Sequence, residues 1–206
     1  MVAVLVPALW SGELFPWHPA LMTVGFLGLM TRGILAAVSF RPLEGHPRVS
    51  AIQRHAWIQV MAVSCIVLGF WSIYANKSRH NKPHFVTLHG KVGAVNFGAT
   101  LGALLWGSLS FKKLGLITRF PERYHATIKW GHRAGAVVVW SLSLVTMQLD
   151  LPHPALPGGS LLRIWQLLVA ATGVSMMFLL RRQTLPKILL PMSVLMGAVQ
   201  APAKHL

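Results

Sequence analysis

Five long apolar runs, at residues 20–38, 56–74, 92–109, 124–149 and 164–180, alternate along this chain with short loops rich in Lys and Arg. Within each run the apolar positions are continuous, with no in-out alternation. That favours helices over strands, and an open sheet in lipid would also leave backbone groups unpaired. About 20 apolar residues of helix cross a hydrocarbon core of about 30 Å, so each run predicts a spanning helix. Two other apolar stretches fall short. Residues 1–9 give only about 13 Å of helix, and read as an interfacial stub or the remnant of a truncated first helix. Residues 188–199 are short and interrupted by Pro191, and read as interfacial. The pattern predicts an all-α integral membrane helical bundle, with a stub at 1–14, a transmembrane domain at 15–180 and a cytosolic tail at 181–206.

Composition supports this class. Only 11% of the 206 residues are charged and 54% are apolar, against about a quarter charged in a soluble domain. A net charge of +15 would suit nucleic acid. The cations lie in the loops between runs, where they orient a membrane protein instead, so nucleic acid is not an expected partner. With helices alternating in direction, one side collects Arg41, Arg48, Arg54, Lys112, Lys113, Arg119, Arg123, Arg181, Arg182, Lys187 and Lys204. The other has Lys77, Arg79, Lys82 and Arg163. The richer side is expected to be cytosolic, the C-terminus with it. Cys65 stands alone inside a run, so neither a disulfide framework nor a Cys-based metal site is available.

A histidine stands near the mouth of each of the first four runs: His18, His55, His89 and His125. His18 and His89 open helices that begin on the non-cytosolic side, and His55 and His125 open helices that begin on the cytosolic side. Helix direction therefore predicts one His pair near each membrane face, each drawn from two helices. Ionisable residues inside a membrane mark functional sites by default. Two facing imidazoles are what a six-coordinate haem iron takes as axial ligands, and helical bundles build such sites from facing helices. A transmembrane metal or haem transporter could use the same histidines, although Glu13, Glu44, Glu122 and Asp150 all lie in loops. A haem-binding anchor subunit of a larger oxidoreductase is a third reading. Gly90, Gly93, Gly98 and Gly102 would let a flat macrocycle approach the backbone, and plain helix packing explains them equally.

The segments Trp17-His18-Pro19, Thr87-Leu88-His89-Gly90 and Tyr124-His125-Ala126-Thr127 resemble the cytochrome b561 family, in particular its branch of cytochrome b561 domain-containing proteins. The likeness runs from Phe15 to Leu180, and the interval of 34 residues between His55 and His89 suits it. The resemblance implies six transmembrane helices, of which the first is truncated here, and a four-helix core holding two haem b groups beside peripheral helix. It implies an ascorbate-dependent transmembrane reductase, passing electrons from cytosolic ascorbate to monodehydroascorbate or a ferric chelate on the far side. It also implies membrane lipid as the surroundings, a homodimer, and an endomembrane (endoplasmic reticulum or vesicle) or plasma-membrane location. Carried over by motif, His18 and His89 hold the non-cytosolic haem iron, and His55 and His125 the cytosolic one. No catalytic acid, base or nucleophile is implied.

The chain departs from the family's apolar pattern at Lys129, His132 and Arg133, which could pair with anionic propionates. His132 lies seven residues beyond His125, two turns along the same helix face, and is the rival ligand to it. His84 is likewise the rival to His89. Lys77, Arg79, His80 and Lys82 form a basic loop suited to an anionic acceptor, and Lys112, Lys113, Arg119 and Arg123 could draw in ascorbate.

Overall fold

The computed structural model describes residues 12–111, 114–149 and 159–183; most of the expected stub, Lys112, Lys113, Asp150 and the tail beyond residue 183 lie outside the described residues. Among the described residues the chain forms five long helices. These are α1 (Trp17–Ser39), α2 (Gly45–Arg79), α3 (Leu88–Ser110), α4 (His125–Gln148) and α5 (Ser160–Gln183). Two short 3-10 turns, Leu116–Arg119 and Glu122–Tyr124, link α3 to α4. The protein is an all-α membrane helical bundle.

By length and composition α1, α2, α3 and α5 can cross a membrane. α4 has the length, 24 residues or about 36 Å, but its first turns carry Lys129, His132 and Arg133. α2 differs most from the sequence expectation. It runs for 35 residues, about 52 Å, and takes in residues 45–54, which polarity assigns to a loop. Arg48, Ala51, Gln53 and Arg54 are strong helix formers, and Pro47 falls in the first turn, where its missing N–H goes unused. α2 stops at Arg79, and Asn81 then takes a left-handed φ of 51°, a conformation its short polar side chain tolerates. α3 is capped by Thr87, whose Oγ1 accepts the Gly90 N–H at 3.1 Å, satisfying one orphan donor of the first turn.

The helices form two antiparallel hairpins, α1–α2 and α3–α4, with α5 lying on α4. Between helices in lipid there is little hydrophobic drive, so close packing of small residues and interhelical hydrogen bonds hold the bundle. Gly25 is one such contact: a Cβ there would lie 2.7 Å from Ile66 Cγ1 and 3.0 Å from the Ala62 carbonyl oxygen. The shared core lies mid-bundle, where Phe26, Met30 and Ile34 of α1 meet Ala62 and Ile66 of α2, Val139 and Trp140 of α4, and Met176 and Leu180 of α5. The fully buried Trp140 donates its indole N–H to Thr31 Oγ1 at 2.9 Å, which ties the two hairpins together. The outer faces are apolar too: Trp57, Leu105, Leu167 and Val174 are each about 70% exposed. In water such faces would be sticky patches; in a bilayer they meet acyl chains.

Candidate functional site

The site is built from two reciprocal clamps. In the first hairpin, His18 at the start of α1 donates its Nδ1–H to the Gly69 carbonyl near the end of α2, at 3.0 Å. In return, His55 of α2 donates its Nδ1–H to the Gly33 carbonyl near the end of α1, at 2.7 Å. Both acceptors are glycines for a steric reason. A Cβ on Gly69 would lie 3.1 Å from Leu21 Cβ, and one on Gly33 would run into the Gln59 side-chain amide. The second hairpin has the same arrangement with one of its two bonds closed. His89 of α3 donates its Nδ1–H to the Thr146 carbonyl of α4 at 3.0 Å. His132 of α4 lies near the Ala103 carbonyl of α3, and its Nδ1 is buried without a hydrogen-bond partner. Its ring packs on Gly107, where a Cβ would lie 2.8 Å from His132 Cε1.

The spacing explains why one face of each helix carries both parts. Gly69 lies 14 residues beyond His55, Ala103 14 beyond His89 and Thr146 14 beyond His132. Fourteen residues are almost four turns, so histidine and carbonyl share a face about 21 Å apart along the axis. α1 needs 15 residues from His18 to Gly33. Its segment Thr23–Met30 is wound as π-helix, whose wider turns absorb the extra residue. Such segments are rare and are frequent at functional sites.

Across the hairpins the histidines face one another. The His18 and His89 rings have centroids 6.1 Å apart with planes at 87°. The His55 and His132 rings have centroids 6.3 Å apart with planes at 77°. Two metal–nitrogen bonds of about 2.0 Å plus two ring radii of roughly 1.1 Å make about 6.2 Å, so each separation suits one metal ion between two imidazoles. Nδ1 is the donor in His18, His55 and His89, which fixes the tautomer of each ring with Nε2 as the unprotonated nitrogen.

The expected partner of His55, His125, is not the one the helices bring to it. His125 is the first residue of α4, and its Nε2–H donates to the Phe120 carbonyl at 2.9 Å. Because α2 begins as early as Gly45, His55 lies almost three turns inside its helix, and the residue at matching depth in α4 is His132. His84 likewise stays in the loop before α3, stacked on Tyr74 at 4.2 Å with Nε2 3.3 Å from Ser78 Oγ. Sequence spacing holds one signal that selects His132: it is the histidine of α4 that stands 14 residues before the carbonyl clamping His89.

A family model for eukaryotic cytochrome b561 matches residues 17–155, which takes in all four facing histidines. The chain belongs to the cytochrome b561 family. Among characterised proteins it is similar to transmembrane reductase CYB561D2 of Homo sapiens, 31% identical over 140 residues, 61% of this chain and 59% of that protein. The Bos taurus protein of that name gives the same identity and coverage. Probable transmembrane reductase CYB561D1 of Mus musculus is 35% identical over 99 residues, 46% of this chain and 42% of that protein. The chain thus spans 59% or less of the length of these relatives.

Membership in the cytochrome b561 family implies haem b, and the residues fit it. Among the described residues there is no group of three or more His, Cys, Asp or Glu side chains that could hold a metal ion. A zinc site takes three or four protein ligands. A haem iron brings four nitrogens of its own and needs only the two axial imidazoles that each pair offers. The second pair also stands among cations. Phe40 packs on His55 with ring centroids 6.0 Å apart, which places Arg41 at that end of the bundle. The Arg41 guanidinium is pushed below its ordinary value, by burial first and by the nearby Arg133 second. An arginine keeps its charge regardless, so that end favours anions.

Proposed function

We propose that the chain carries two haem b groups, one on His18 and His89 and the other on His55 and His132, and acts as a transmembrane reductase. In this reading it takes electrons from cytosolic ascorbate and passes them to monodehydroascorbate or a ferric chelate on the opposite side. One observation carries it: two facing His pairs stand about 21 Å apart along the bundle axis, one toward each end. The relatives' names as transmembrane reductases support the same reading. When bound, haem supplies one-electron chemistry at each end of the bundle.

The chain's own residues do the rest. The carbonyls of Gly69, Gly33 and Thr146 hold the Nδ1 protons of His18, His55 and His89 and so aim each Nε2. Phe26, Met30, Ile66 and Trp140 fill the space between the two levels and exclude water. Arg41 and Arg133 attract an anionic donor to the end that holds His55 and His132, and the excess of Lys and Arg in the loops at that end orients it toward the cytosol. His132 takes the place that motif alone gives to His125.

The test uses the purified protein in sealed proteoliposomes of determined orientation, with absorption of the b-type bands as the readout. Reduction is expected when ascorbate is on the face that carries Arg41 and Arg133, with an external ferric chelate reduced on the other. A colourless protein would refute the haem reading. Equal reduction from both faces would refute the direction alone.

A further inference from the structure

We propose that a groove between the end of α3 and the start of α4 binds one anionic phospholipid, its acyl chain along the groove and its headgroup on Arg119 and Arg123. Trp106 and Leu109 of α3 and Phe120, Tyr124, Thr127 and Ile128 of the following segment line a groove of about 250 Å³. Its aromatic walls are partly exposed: Trp106 and Tyr124 are each 46% exposed and Phe120 40%. Half-exposed Trp and Tyr at a helix end belong to the membrane interface, at headgroup depth.

The groove has a fixed back wall. The Trp106 indole N–H donates to the Ile128 carbonyl at 2.7 Å. A Cβ on Gly131 would lie 2.9 Å from the Trp106 ring, so the N–H edge of the indole is seated closely against α4. Its mouth is cationic. The Arg123 guanidinium stands over the Tyr124 ring at 4.9 Å from the centroid, a contact that keeps the charge beside the groove. Residues 119–129 carry Arg119, Arg123 and Lys129 against one acid, Glu122.

These features select the occupant. The groove, floored by two residues of α3 and four of the following segment, takes a stretch of one acyl chain. A zwitterionic lipid would use the apolar floor and bring a phosphate, but its own ammonium would stand among the arginines and offset that attraction. A soluble anion would use the cations and leave the floor wet. An anionic phospholipid satisfies both, and anionic lipids are those of the cytosolic leaflet. The inference does not depend on the haem reading.

Native mass spectrometry of the full chain in mild detergent tests it, with palmitoyl-oleoyl phosphatidylserine or phosphatidylcholine added. The wild type is expected to retain one phosphatidylserine with a preference of about tenfold or more, as two cations at an anionic headgroup imply. The exposed double variant Arg119→Gln/Arg123→Gln should lose the preference with its thermal unfolding unchanged in detergent alone. Thr127→Trp, which fills the groove, should retain neither lipid. Equal retention of the two lipids by the wild type, an unaltered preference in the double variant, or displacement of the lipid by inorganic phosphate would each overturn the proposal.

Discussion

If the chain carries the two proposed haems, replacing Gly107 by alanine should damage the site on His55 and His132 and spare the other. The new methyl would lie 2.8 Å from His132 Cε1, 3.2 Å from Nδ1 and 3.5 Å from Nε2. Carbon atoms settle at about 3.5–4.0 Å, so the ring or the helix must yield by roughly 0.7–1.2 Å. A retreat toward His55 would narrow the 6.3 Å between ring centroids that a metal between them requires. Overpacking of this kind costs about 1–3 kcal/mol, and a metal site loosened by about 1 Å ceases to be preorganised. The expected result is a haem-to-protein ratio falling from two toward one, measured by pyridine haemochrome, with a residual spectrum that belongs to the His18–His89 site. Gly102→Ala is the control on the same helix: a Cβ there meets nothing within 4 Å, and haem content should hold. If Gly107→Ala keeps two haems with an unaltered spectrum, the packing argument for His132 fails.

His132→Ala should lose one haem and His125→Ala none, since His125 only caps the Phe120 carbonyl; the opposite outcome in the same haem assay would restore the motif-based assignment. Deleting Leu27 from the π-helical segment should bring α1 to the 14-residue spacing of its neighbours and preserve haem content. Deleting Val67 from α2 should instead turn the Gly69 carbonyl by about 100° away from His18 and reduce it; equal haem loss in the two deletions would contradict the register argument. Trp140→Phe removes the indole bond to Thr31 and should lower stability by about 1 kcal/mol, read as a drop in thermal midpoint at unchanged haem content.

The sequence by itself determined the class and the five long helices seen among the described residues, and it brought His18 and His89 together. Continuous apolar runs of spanning length permit only helices in lipid, and alternating helix direction already puts His18 level with His89. It could not place the second pair. Polarity set the expected start of the second helix at residue 56, because composition reports where lipid begins and not where a helix does. The extra turns before His55 move it deeper, and depth decides which histidine of α4 it meets. The clamps were out of reach for a related reason: their acceptors are backbone carbonyls, which every residue carries, so no residue type marks them. Only helix packing, closed up by Gly33 and Gly69, shows which carbonyl each imidazole reaches. The π-helical stretch was also hidden, since its role is to correct a one-residue difference between His18 and Gly33 that has meaning only once both lie against α2.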